Sequence, residues 1–219
     1  MRTTDVTCAG CEIYKCRYPK TKKPWPVKCP RKNYAHILKE VVEKNQRDSH
    51  IKDVNLACDE AIFRGYDPDE SVYHWPRVRE LIEYARVLGY KKIGIAGCMG
   101  LIDESKTLAN ILTDAGFQVC LVNCMAGCTT RANFLLKERK GATTPFVCNP
   151  LFQAEVLNGE KTDLNVMVGL CLGHDILFIK HSKADVTPLI VKDRLTGHNP
   201  VAALYASRYF ANRFPKSKD

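Results

Sequence analysis

Eight cysteines stand where sulfur could hold a metal, and they form two groups. Cys8, Cys11, Cys16 and Cys29 crowd the first 30 residues in the spacing Cys-x2-Cys-x4-Cys-x12-Cys. Four thiolates suit a tetrahedral zinc ion or an iron–sulfur cluster, and Gly10 permits a tight turn between the first two. Zinc knuckles usually close on a second Cys-x2-Cys, which this segment lacks, so zinc and a cluster both stay open. Cys98, Cys124, Cys148 and Cys171 are spread over the rest of the chain. Each follows or ends a short apolar run, as in Ile93-Gly94-Ile95-Ala96-Gly97-Cys98 and Val166-Met167-Val168-Gly169-Leu170-Cys171. If the runs are parallel strands, the four thiols converge beyond their carboxyl ends, where open α/β sheets bind ligands.

Other residue types gather around the second group. Gly97, Gly100, Gly127, Gly169 and Gly173 flank it and allow close backbone approach to sulfide or an anion. His174 and Asp175 follow Cys171 and are the candidate proton carriers, although Asp175 also suits the first turn of a helix. Asn149, Lys192, Arg194 and His198 are candidate contacts to a small anionic substrate; the two cations could instead pair with Asp175 and Asp193. Cys128 is a spare or reactive thiol. Cys120 lies mid-strand and Cys58 on a helical apolar stripe, so both read as small core residues. His36, His50, His74 and His181 show no ligand spacing and read as surface or cap residues.

The 219 residues carry eleven cysteines, an odd number, with 45% hydrophobic residues and a formal charge of +9. No apolar h-region follows Arg2, and no apolar run is long enough to span a bilayer. A cytoplasmic protein with reduced thiols is expected, which favours metal or cluster ligation over disulfides. Lys20, Lys22, Lys23, Lys28, Arg31 and Lys32 surround Trp25 and could grip nucleic acid. The simpler reading is that these cations offset the negative charge of bound thiolates.

These groups need elements to position them. Pro19, Pro24, Pro26 and Pro30 break up residues 1–31, which read as a cysteine-rich metal-binding appendage. Helical periodicity marks 32–47 and 49–64, and a third helix begins at Pro76 and stops at Gly89, so 32–90 is a helical segment. Over 91–219 strands and helices alternate. Strands are expected at 92–96, 117–122, 164–170 and 186–191, with a short one at 144–147. Helices are expected at 103–115, 151–157, 175–181 and 200–211, and the tail 213–219 looks frayed. The alternation predicts a three-layer α/β fold with a mostly parallel, Rossmann-like sheet.

Four strings occur together: Gly94-Ile95-Ala96-Gly97-Cys98, Cys148-Asn149-Pro150 with Gln153-Ala154, Gly169-Leu170-Cys171-Leu172-Gly173-His174-Asp175, and Lys192-Asp193-Arg194 with His198-Asn199-Pro200. They resemble DUF1847, an uncharacterised family of cysteine-rich proteins often labelled metal-binding and found mainly in anaerobic bacteria and archaea. The resemblance extends over nearly the whole chain, the first cysteine group included. It implies that Cys98, Cys124, Cys148 and Cys171 belong to the family pattern. Family members read closer to Cys-Lys-x-Gly where this chain has Cys124-Met125-Ala126-Gly127-Cys128, so Cys128 departs from it. The resemblance implies metal and no particular reaction.

Three functions fit. A cluster of the 4Fe-4S type held at the strand ends would serve a non-redox enzyme of desulfidase or lyase type on a small anion. Two clusters would serve an electron carrier with a redox partner. Zinc at both places would serve a structural or nucleic-acid-binding protein.

Overall fold

The computed structural model describes residues 7–138, 140–141 and 144–215. Residues 1–6 of the appendage and 216–219 of the tail lie outside the described residues. Two compact units are distinguishable, residues 1–58 and 59–219.

The first unit holds the short helix α1 (Pro30–Asn33), α2 (Ala35–Arg47) and most of α3 (Ser49–Arg64). The helix expected over 32–47 is thus interrupted at Tyr34, whose φ of −118° and ψ of 31° are not helical. Asp48 Oδ1 accepts the Ile51 N–H at 3.1 Å and caps α3. Asn55 Nδ2 donates to Asn45 Oδ1 at 2.7 Å and ties α3 to α2. Cys58 is exposed, against the core position expected of it, while Ala57 is fully buried. One residue turns a helix by about 100°, so the buried stripe passes beside the thiol.

The second unit opens with a two-strand hairpin, β1 (Tyr66–Asp67) and β2 (Val72–Tyr73), built on the Asp67-Pro68-Asp69 turn. Helix α4 (Arg77–Val87) follows Pro76 and ends before Gly89, whose φ is +69°. Then come β3 (Lys92–Gly97), α5 (Ile102–Asp114), β4 (Gln118–Asn123), α6 (Pro150–Gly159), β5 (Leu164–Val168), α7 (Leu172–His181), β6 (Asp185–Ile190) and the short α8 (Val201–Tyr205). The last helix is half the length expected: Pro200 takes the cap position expected of Asn199, and the chain leaves helical geometry at Ala206. The strand expected at 144–147 is an isolated antiparallel bridge between Thr130 and Phe146.

The fold is α/β. Its four-stranded sheet is parallel throughout, in the order β4-β3-β5-β6. β3 and β5 are central and almost wholly buried, which explains why their sequences are mostly apolar rather than alternating, with Asn165 the buried polar exception in β5. β4 and β6 are the edges, and β6 carries Pro188, a residue confined to edges because it cannot donate to a neighbour. The chain leaves β3 toward β4, then crosses back past β3 to β5. Right-handed crossovers therefore set α5 on one face and α6, with α7 packed against it, on the other. Ile93, Ile95, Leu112, Leu157, Val166 and Phe178 are fully buried between these layers.

Most buried polar groups are paired; among the described residues Gln153 Oε1 and Thr196 Oγ1 are buried without a hydrogen-bond partner. Glu83 on α4 meets Arg79 at 2.8 Å, Arg86 at 2.7 Å and Arg64 at 3.3 Å. Arg86 also donates to the Ala115 carbonyl at the end of α5. Asn165 in β5 accepts from the Thr162 hydroxyl and donates to Ser182 Oγ, each at 2.8 Å, joining the ends of α6 and α7. Gly94 lies opposite: a Cβ there would overlap Asn165 Oδ1. No helix among the described residues is long and apolar enough to cross a membrane.

Candidate metal centre

The reversal of direction between β3 and β5 opens the sheet at its carboxyl end, and the strand-end cysteines lie there. Backbone bonds stitch the ends together. Cys98 N–H donates to the Val168 carbonyl at 3.0 Å, and Cys124 N–H to the Gly97 carbonyl at 2.8 Å. Asn149 N–H donates to the Cys124 carbonyl at 2.8 Å, which holds Cys148 beside Cys124. Cys98 precedes the single turn Met99–Leu101, Cys148 immediately precedes the α6 cap Asn149, and Cys171 is the residue from which α7 starts.

The sulfurs converge. Cys148 Sγ donates to Cys124 Sγ at 3.4 Å, and Met99 N–H points at the same Cys124 Sγ at 3.3 Å. Two cations close the group: Lys192 Nζ donates to Cys98 Sγ at 2.8 Å and Arg194 Nη2 to Cys171 Sγ at 3.1 Å. The hydrogen bond with Cys124 and then burial push the Cys98 thiol up to about 12, against the pull of Lys192. Cys124 is raised through its bond with Cys148, and that same bond lowers Cys148. Bonding to Cys171 raises Arg194 further.

His174 and Asp175 occupy the first turn of α7, both half-buried. Burial lowers the His174 imidazole and raises the Asp175 carboxyl, so desolvation disfavours charge on each. Asn149 is a helix cap: its Oδ1 accepts the Phe152 N–H at 3.0 Å and its Nδ2 donates to Thr129 Oγ1 at 3.0 Å. His198 has a φ of +65° and closes a turn, its Nδ1 accepting the Asp193 N–H at 3.2 Å. Cys128, exposed with φ +47°, takes no part in the thiol contacts given above.

Gln153, singled out in sequence only as part of a string, is fully buried beneath the centre. Its Nε2 donates to the carbonyls of Gly97 at 3.1 Å and Val122 at 2.8 Å, clamping the ends of β3 and β4. A groove of about 920 Å³ opens beside Cys148 and Cys171. Phe134, Phe146, Val147, Leu151 and Leu177 supply much of its wall. No residue pattern marks this groove, because one wall is the irregular segment between β4 and α6.

In the first unit, Thr7 N–H donates to the Lys28 carbonyl at 2.9 Å, which brings Cys8 back toward Cys29. Cys11 N–H donates to the Cys8 carbonyl at 3.0 Å, the turn expected around Gly10. Cys29 is buried, Cys11 half-buried, and Cys8 and Cys16 exposed. Lys15 Nζ sits 5.3 Å over the Trp25 ring.

Among the described residues, one set of three metal-ligating side chains has all its ligand atoms within 4.8 Å of one another: Asp67, Glu70 and His74 on the hairpin, a set able to hold a metal ion. His74, expected to be a surface or cap residue, is exposed there. Asp67 Oδ1 accepts the N–H groups of Asp69 and Glu70, and those bonds lower its carboxyl.

A family model described as "Protein of unknown function (DUF1847)" matches residues 29–189. The match spans Cys98, Cys124, Cys148 and Cys171 and stops short of Cys8, Cys11 and Cys16 on one side and Lys192 on the other. The chain is 39% identical over 175 residues to the uncharacterised protein MJ0455 of Methanocaldococcus jannaschii, covering 79% of this chain and 86% of that protein. No solved structure matches the chain at significance.

Proposed function

The chain belongs to the DUF1847 family, and within it we propose that three of Cys98, Cys124, Cys148 and Cys171 hold an iron–sulfur cluster serving a non-redox enzyme. The observation that carries this reading is the gathering of four thiols at the carboxyl end of the sheet, beside an open groove: Cys98, Cys124 and Cys171 follow β3, β4 and β5, Cys148 precedes α6, and Lys192 and Arg194 bond Cys98 and Cys171. The donor set fits a cluster better than one zinc ion. Zn–S bonds of about 2.3 Å would set the sulfurs of a tetrahedron about 3.8 Å apart. No three of these sulfurs lie within 4.8 Å of one another, so the set is wide enough for a larger group.

A cluster ligated by three of the four thiols would supply an open, Lewis-acidic iron. Lys192 and Arg194 offset the negative charge of thiolates and sulfide. His174, which lines the groove, is the residue placed to exchange a proton with a bound molecule, and Asp175 is its acidic neighbour. Cys8, Cys11, Cys16 and Cys29 are proposed as a second metal site, of zinc or iron–sulfur type. The electron-carrier reading has less support, since a carrier needs no substrate groove.

The test is iron, zinc and acid-labile sulfide content with a visible spectrum, on protein purified without oxygen. Iron and sulfide lost with Cys98→Ala but kept with Cys8→Ala support the strand-end cluster. Stoichiometric zinc without sulfide in the intact chain overturns it.

A further inference from the structure

The groove lies along α7. Cys171, His174, Leu177 and His181 line it, and their spacing of three, three and four residues is one face of a helix. At about 1.5 Å per residue the stripe runs about 15 Å from the thiols to His181. The stripe starts at Cys171 and His174 and continues with the apolar Leu177, and Cys148, Phe134 and Phe146 also line the groove. This is the composition of a small-molecule site: an apolar trough with a few polar groups at one end.

The charges at that end argue against an anionic head. Lys192 and Arg194 are already bonded to Cys98 and Cys171. Arg131, which also lines the groove, turns Nε and Nη2 onto the Lys137 carbonyl. The sulfurs that face the groove carry negative charge once they ligate a metal, and would repel a carboxylate beside them. His174 is different: among the described residues its imidazole has no hydrogen-bond partner. A half-buried ring with an unfilled donor and acceptor fits a neutral polar group on a ligand.

We infer that the groove binds a neutral, elongated molecule, with an amide- or thioamide-type head at His174 and the thiols and an aromatic or aliphatic body along Leu177. This deepens the enzyme reading, on which it rests, and replaces the small anion expected from sequence with an uncharged substrate.

Two probes of one shape separate the alternatives: 4-butylbenzamide and 4-butylbenzoate. Ligand-observed NMR titrations of each are made on the full chain, both metal-free and as purified without oxygen. The amide is expected to bind at least about tenfold more tightly than the carboxylate, the cost of desolvating an unpaired charge. Leu177→Asp should weaken amide binding about tenfold or more, because it sets a charge against the body. Leu177 and Phe146 are partly exposed, so Phe146→Asp serves as an independent second variant if either one melts early. His174→Phe should weaken the amide several-fold while preserving apolar volume. Carboxylate binding as tight as amide binding, failure of both probes to bind, or indifference to both aspartate variants overturns the inference. Metal and sulfide content of the same samples reports on the cluster separately, so failure of one reading is distinguishable from failure of the other.

Discussion

Lys192 Nζ lies 2.8 Å from Cys98 Sγ, 94 residues away in the chain. The contact depends on strand order. Cys98 follows β3 and Lys192 follows β6, with β5 between them. Cys98 N–H bonds the Val168 carbonyl, and Gly169 N–H bonds the Ile190 carbonyl. The register shift between Met167 and Val168 then sets Val168 opposite Ile190. Lys192 is thereby carried to the end of β5 and reaches over it to the sulfur.

If Cys98 ligates the proposed cluster, a charged donor on its sulfur should matter to retention of the centre. Lys192→Met is expected to lower metal affinity about tenfold, the scale of one charge-assisted hydrogen bond. Lys192→Arg should recover part of the loss, because charge is kept while the donor geometry changes. Iron per chain after chelator challenge without oxygen checks this. Equal retention in Lys192→Met and the unaltered protein would mean that the cation does not support the centre.

Gln153 is expected to act through position alone. Gln153→Leu removes both donors from the carbonyls of Gly97 and Val122 and should cost about 1–3 kcal/mol. Gln153→Glu should cost more at pH 8 than at pH 5. Its carboxylate would face two carbonyl oxygens, so its folded pKa is raised, and stability falls as pH rises through the unfolded value. Urea melts at the two pH values measure both effects. A Gln153→Glu protein more stable at pH 8 would contradict the clamp.

Much of this arrangement was legible in the sequence because it follows from local pattern. Buried parallel strands need continuous apolar residues, so Ile93–Ala96 and Leu164–Val168 declared themselves, and the cysteine after each run fell at the strand end. What remained hidden depends on distant partners. The β6 register that delivers Lys192 to Cys98 has no local signature. Phe134, Leu136 and Phe146 wall the groove from an irregular segment, where no period marks an inward face. Cys58 was misplaced by a helical stripe whose buried positions are the alanines Ala57 and Ala61 beside it.

Gly169 tests whether the loop before Cys171 is fixed by sterics. Its φ is +61°, and a Cβ there would overlap Leu101 Cδ1. Gly169→Ala is expected to cost about 2 kcal/mol or more, from left-handed backbone and overpacking together. Cys171 lies two residues on, so metal content should fall with it. A thermal melt with metal analysis decides the matter, and an unchanged melting temperature would show that the loop yields freely.

The thiols themselves should react in a set order once metal is removed. Alkylation needs the thiolate and needs access. Cys98 is 8% exposed and pushed up to about 12, so at pH 7 it presents almost no thiolate. Cys124 is buried and raised as well. Cys148 is half-buried, borders the groove and is lowered by its bond with Cys124. Iodoacetamide at pH 7 should therefore label Cys148 well before Cys98 and Cys124, on a background of the exposed Cys8, Cys16, Cys58 and Cys128. Raising the pH to 9 should speed Cys98 and narrow the gap without closing it, since Cys98 is still mostly thiol there. Timed peptide mapping reads the order. Labelling of Cys98 as fast as Cys148 would mean that the hydrogen-bonded chain of sulfurs does not persist without metal, and that the centre is assembled by the metal and not beforehand.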